Sequence, residues 1–126
     1  MGHVKATIKV SNPTKTDLKS IDIVCLVDTG ATYLCLPQHV ANQLELKELQ
    51  KREVILANGQ SQLVPYVGPV KVEFENRICF VGAMVLGDQP LLGAIPIEDM
   101  DLVIHPSQFK LSVNPASPNI ATGLAK

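Results

Sequence analysis

The chain lacks the marks of several large functional classes. It has no basic stripe: 11 Lys and Arg stand against 12 Asp and Glu, for a net charge of -1. That balance argues against nucleic acid as a main partner. No apolar run approaches the ~20 residues a membrane span needs, so no membrane partner is expected. The opening Met1-Gly2-His3-Val4-Lys5 has no apolar signal-peptide core, and Ala6 breaks the myristoylation pattern. A cytoplasmic location is the expectation. Cysteine is scarce and odd in number, and Cys25, Cys35 and Cys79 contain no Cys-x-x-Cys pair. Buried free thiols are expected rather than disulfides or a zinc site. His3, His39 and His105 show no ligand spacing, so neither a metal nor another cofactor is expected. There is no Gly-x-Ser-x-Gly, no phosphate loop, no dinucleotide fingerprint and no low-complexity segment. Cys35 lies in an apolar segment without a basic neighbour. This speaks against a thiol nucleophile paired with His39 or His105.

What is present suffices for one folded domain. Hydrophobic residues make up 46% of 126 residues and charged residues 18%, a composition that buries a core and is not disordered. Val4, Ala6, Ile8 and Val10 alternate with Lys5, Thr7 and Lys9, which predicts a strand with one dry face. After the turn cluster Ser11 to Thr14, Ile21 to Val27 reads as its hairpin partner and ends on Asp28. Pro37 opens a helical pattern to Leu44, with Leu36, Val40, Ala41 and Leu44 on one face. Arg52 to Leu56 and Gln60 to Val64 read as strands around Asn58-Gly59, a hairpin signal. Gly68-Pro69 is expected to break the chain. Val70 to Phe74 and Ile78 to Val85 read as strands about an Asn76-Arg77 turn, and Leu91-Leu92-Gly93 ends another buried strand. A short helix from Ile95 to Met100 and two strands, Leu102 to Ile104 and Phe109 to Val113, follow. Residues 1–113 are expected to form the domain and residues 114–126 a flexible tail. The fold class expected is all-β: a mostly antiparallel, closed or nearly closed sheet with one mid-chain helix and a short late one.

The chain is organised around Val24-Cys25-Leu26-Val27-Asp28-Thr29-Gly30-Ala31-Thr32. An apolar strand runs into an acid, a hydroxyl and a glycine. Burying a carboxylate is costly unless it is paired or hydrogen-bonded, so an acid there has little reason to exist for packing. The triplet Asp28-Thr29-Gly30 alone fits equally a strand ending in a tight turn with a solvated Asp. The hairpin tip Ala57-Asn58-Gly59-Gln60-Ser61 likewise reads either as an ordinary surface turn or as a mobile lid.

In the order of its parts the chain resembles the retropepsin-like aspartic proteases, and in pattern most nearly their cellular and bacterial members. Val27-Asp28-Thr29-Gly30-Ala31 resembles the catalytic loop, and the hairpin around Asn58-Gly59 looks like the flap. Leu91-Leu92-Gly93 resembles the paired aliphatics and glycine that pack beside that loop. Thr32 stands where the retroviral enzymes usually have Asp or Ser, and Ala94 where they carry Arg. The resemblance implies a single-lobed acid-protease barrel, Asp28 as the catalytic acid, and Thr29, Gly30 and Ala31 as its support. It implies a flap at Ala57, Asn58, Gly59, Gln60 and Ser61, and loop packing by Leu91, Leu92 and Gly93.

The chemistry sets a further condition. Hydrolysis without a metal or a covalent intermediate needs one carboxylate to take a proton from water and a second, protonated, to give one. No other acid in the chain is followed by Thr-Gly, so the second must come from a second copy. A two-fold axis sets residue i against residue i and makes one Asp28 two. The expected function is an aspartic endopeptidase acting on a peptide or protein substrate as a homodimer. The alternative is a non-catalytic binding or dimerisation module on the same fold.

Overall fold

The structure is a computed structural model that describes residues 3–125. Its elements are β1 (Lys5–Ser11), β2 (Ile21–Val27), β3 (Leu34–Leu36), α1 (Gln38–Gln43), β4 (Lys47–Ile55), β5 (Ser61–Phe74) and β6 (Arg77–Val85). β7 (Leu91–Leu92), α2 (Ala94–Asp99), β8 (Leu102–His105) and β9 (Lys110–Val113) complete the chain. Seven strands run in the order β1-β2-β7-β3-β6-β5-β4, and β1 also pairs with β5. Six of them therefore form a ring, with β4 attached outside it through β5. β8 and β9 form a separate two-stranded sheet. Among the described residues no helix is long and apolar enough to cross a membrane.

The ring follows from alternation. Ile8 and Val10 of β1 and Ile23, Cys25 and Val27 of β2 are buried, while Lys5, Thr7, Lys9, Asp22 and Val24 face outward. β1 and β2 pair as the expected hairpin, Lys5 opposite Leu26 and Val10 opposite Ile21. β1 then bends across to β5, with Lys9 opposite Glu73 and Ser11 opposite Lys71. Leu34, Leu36, Val70, Val72 and Leu92 fill the interior with them. β2 and β7 run parallel, as do β3 and β6, so the ring is mixed and not simply antiparallel.

α1 forms on its apolar face, burying Val40, Ala41 and the flanking Leu36 and Leu44. Pro37 precedes its first turn, where a missing N–H costs nothing. The helix end is closed from far away. Asn12, buried, donates from Nδ2 to Leu44 O at 2.9 Å and to Glu45 O at 3.3 Å, two carbonyls left over at a helix C-terminus.

Two sequence expectations change. Gly68-Pro69 does not break the chain: β5 runs through it, with a register shift against β6 between Val67 and Val70. A proline cannot donate to a ladder, and such an irregularity is where a strand tolerates one. β4 begins at Lys47, five residues before the alternation becomes visible. As an outer strand it is wet on both faces over Lys47–Lys51, so no apolar period marks it.

The segment after β9 is tied to the ring. Arg77, at the start of β6, is almost fully buried; its guanidinium donates to Ser117 O and lies 3.8 Å from Asp101 Oδ2. Asp101 accepts from Ser117 Oγ at 2.5 Å, Asn114 Nδ2 at 3.0 Å and Thr122 N at 3.0 Å. Those hydrogen bonds, chiefly those from Ser117 and Asn114, with a smaller contribution from Arg77, hold its carboxyl down at about 2. A group depressed in the folded state contributes stability that is present above its ordinary value and lost as pH falls through the depressed one. The tie is therefore expected to be whole above about pH 4 and to release as pH falls towards 2. The Thr122 amide resonance, followed by acid titration, reports this. An Asp101→Asn chain should show no such acid transition, and a wild-type resonance that stays still from pH 5 to 2 contradicts it.

Candidate active site

The site is built where β2 ends. Val27 pairs with Leu92, and Asp28 N donates to Leu92 O at 3.0 Å. The backbone then turns, Ala31 N donating to Asp28 O at 3.1 Å. Asp28 Oδ1 accepts from Gly30 N at 2.9 Å, an Asx turn that fixes the carboxylate against its own loop. A Cβ on Gly30 would lie 3.1 Å from Asp28 Oδ1, so a side chain there would crowd the carboxylate.

α2 clamps the other side. The first N–H groups of a helix have no partner within it. Here Ala94 N donates to Ala31 O and Ile95 N to Thr32 O, both at 2.9 Å. Such bonds need the backbones in contact, and Gly93 allows it. A Cβ on Gly93 would sit 2.4 Å from Tyr33 O and 2.7 Å from Ala31 O. Leu92, fully buried, anchors the segment in the core. Leu92 and Gly93 thus meet the Asp28 loop through backbone, Leu92 by its carbonyl and Gly93 by the space it leaves.

A cleft of about 700 Å³ opens beside the loop. Asp28, Gly30, Ala31 and Thr32 line it together with Ile55, at the end of β4, and Leu56 and Ala57, just after it. Its floor is apolar, with Met84, Leu86 and Leu91. Among the expected flap residues Ala57 reaches the cleft; Asn58, Gly59, Gln60 and Ser61 are exposed at the tip beyond it. The tip is a three-residue loop and not a two-residue one. Gly59 N donates to Leu56 O at 2.9 Å, and Leu56 N to Gln60 O at 2.8 Å. Gly59 has φ +85 while Asn58 is not in the positive-φ region, so a type I′ turn is excluded and the glycine bulge form fits.

Asp28 is solvent-exposed in the single chain, against the expectation of a buried acid. Thr29 is exposed as well, and its hydroxyl makes no side-chain hydrogen bond among the described residues. The sequence reading did not single out Tyr33, Cys35, Val54, Met84 or Leu86, which also line the cleft. Cys35 lies against the site but is no nucleophile. Burial, with the Asp28 carboxylate adding to it, pushes its thiol up and keeps it protonated. Burial raises Cys25 and Cys79 to about 12, and all three thiols are free. Among the described residues no group of three His, Cys, Asp or Glu side chains converges as a metal site.

A ring of strands, with an Asp-Thr-Gly turn braced by a Leu-Leu-Gly segment and faced by a hairpin, has the architecture of a retroviral-type acid protease. The comparisons agree. The family model described as gag-polyprotein putative aspartyl protease matches residues 15–99, and the chain belongs to that family. The matched stretch holds the Asp28 loop, the β4–β5 hairpin and Leu91-Leu92-Gly93. Among solved structures the chain is similar to EIAV protease complexed with the inhibitor HBY-793, with a TM-score of 0.54 and 18% identity. That match covers 78% of this chain and 88% of the other, and it shows the shared fold. No curated protein sequence matches significantly.

Proposed function

We propose that this chain is an aspartic endopeptidase whose working unit is a homodimer with the two Asp28 carboxylates facing across the axis. The observation that carries the reading is the state of Asp28. It accepts from Gly30 N–H, lines a cleft of about 700 Å³ and is exposed to solvent. One chain offers half of a two-carboxylate site, and a second copy would supply the rest and bury both acids.

Two carboxylates brought that close do not both ionise, so they share one proton, the known behaviour of this dyad. The ionised member takes a proton from the attacking water. The protonated member gives one to the carbonyl oxygen; as the C–N bond breaks, the proton taken from water passes to the leaving nitrogen and the diol returns one to the second carboxylate. Thr29, exposed in the single chain, would bond across the axis and hold the pair. The β4–β5 hairpin would close as a flap, exclude water and hold the substrate as an added strand. The apolar floor of Met84, Leu86 and Leu91 would take apolar side chains. The chain is read as cytoplasmic, with no cofactor.

The test is dilution. Specific activity against a peptide substrate should fall in step with the dimer fraction measured by sedimentation. Its pH profile should be a bell whose limbs belong to the pair. Full activity in a strictly monomeric protein, or a rate that rises through a single carboxylate and then stays flat, overturns the reading.

A further inference from the structure

β4 lies outside the strand ring and pairs along its length with β5 alone, so backbone pairing does not set how far the hairpin stands from the Asp28 loop. A side-chain stack bridges that gap. The Arg52 guanidinium on β4 lies 3.8 Å from the centre of the Tyr66 ring and 5.4 Å from that of Tyr33. The two rings meet edge to face, 6.1 Å apart at 70°. The Tyr66 ring lies over Gly82 of β6, in space that a Cβ there would close, coming within 2.1 Å of it. The Tyr33 backbone is held beside the Asp28 loop, since its carbonyl abuts Gly93 and it follows directly on Thr32, which accepts from α2. With its amide oxygen turned to Arg52, Gln50 accepts from Nε at 2.9 Å and Nη2 at 3.0 Å, aligning the guanidinium. Among the described residues Arg52 makes no ion pair. Its charge is held by ring faces and an amide.

We propose that Arg52 is a positioning residue that ties the root of the β4–β5 hairpin to the Asp28 loop and so sets the width of the cleft. It rests on the reading of this cleft as the substrate site. Val54 packs into the same small cluster around Tyr33 and Tyr66, so the tie has an apolar and a cationic part. The cationic part is the directional one: a planar guanidinium stacks on a ring face and spans to a second ring, which an ammonium cannot reproduce. The ring core does not use Arg52, so its loss loosens the hairpin and leaves the fold.

Hydrogen exchange across residues 53–63 tests the tie without requiring activity, in Arg52→Leu, Arg52→Lys and Tyr66→Phe chains. Arg52→Leu should speed exchange there by about 3- to 30-fold, the span expected for one lost guanidinium–ring stack, with β1 and β2 unchanged. Arg52→Lys should fall between, and Tyr66→Phe, which keeps the ring face, should match wild type. In cleavage assays Arg52→Leu should lower kcat/KM by a similar factor, chiefly through KM. Hairpin exchange unchanged in Arg52→Leu, or raised equally in β1 and β2, overturns the proposal. A wild-type chain that cleaves nothing while the exchange pattern holds overturns the protease reading and leaves the tie supported.

Discussion

Asp28→Asn is expected to abolish peptide hydrolysis while leaving the melting temperature at pH 7 at or above that of wild type. The wild-type carboxylate supports its loop through one contact, Oδ1 accepting from Gly30 N at 2.9 Å. The Asn amide oxygen can accept the same bond, and the backbone hydrogen bonds from Asp28 N to Leu92 O and from Ala31 N to Asp28 O do not involve the side chain. In the proposed dimer the substitution also replaces a carboxylate pair that must hold a shared proton with two neutral amides, which favours association. Chemistry fails because an amide cannot take water's proton. Thermal melting beside a cleavage assay at substrate excess reads both. Residual turnover would show that Asp28 is not the base. A mutant melting well below wild type would show the acid to be a structural partner, and the protein a binding module on a protease fold.

Gly93→Ala is expected to have the largest effect on folding of any single methyl added near the site. The new carbon would lie 2.4 Å from Tyr33 O, 2.7 Å from Ala31 O and 2.8 Å from Thr32 C. All three are backbone atoms and cannot rotate away. Relief requires α2 to withdraw, which breaks the bonds from Ala94 N to Ala31 O and from Ile95 N to Thr32 O. Overpacking of this kind costs about 1–3 kcal/mol, and the loss of the two hydrogen bonds adds to it. Chemical denaturation should show a loss of at least about 2 kcal/mol. Gly59→Ala is the control: its Cβ meets nothing within 4 Å, and its φ of +85 makes it a local strain at the hairpin tip alone. Equal stability of Gly93→Ala and wild type would mean that the loop and helix are not in contact in solution.

How much of this could be read from residues alone follows from where the signal lies. β1, β2 and α1 were legible because each has one wet face and one dry one, so burial writes a period into the sequence. The Asp28 loop and Leu91-Leu92-Gly93 were legible as motifs, and their adjacency was expected only through the family resemblance, because it depends on a parallel pairing of Val27 with Leu92 that no periodicity reveals. The early part of β4 has no dry face and left no pattern. The rest of the cleft left little sign because Cys35, Met84 and Leu86 look the same as interior residues. The stack of Arg52 on Tyr66 was hidden for a related reason. It depends on the absence of a side chain at Gly82, on a different strand.

The insertion of β7 between β2 and β3 has a consequence in time. β2 and β3 are sequence neighbours, but Asp28 N finds its acceptor only at Leu92, and Ala31 and Thr32 find their donors only at Ala94 and Ile95. The loop is closed by contacts of high sequence separation, which form late and slowly compared with local hairpins and helices. A growing chain that has reached the β4–β5 hairpin can already hold the β1–β2 hairpin and α1. It cannot yet shape the turn around Asp28. The residues that follow β6 bring those partners, so the Asp28 loop gains its brace only once Leu92, Ala94 and Ile95 have been added to the chain.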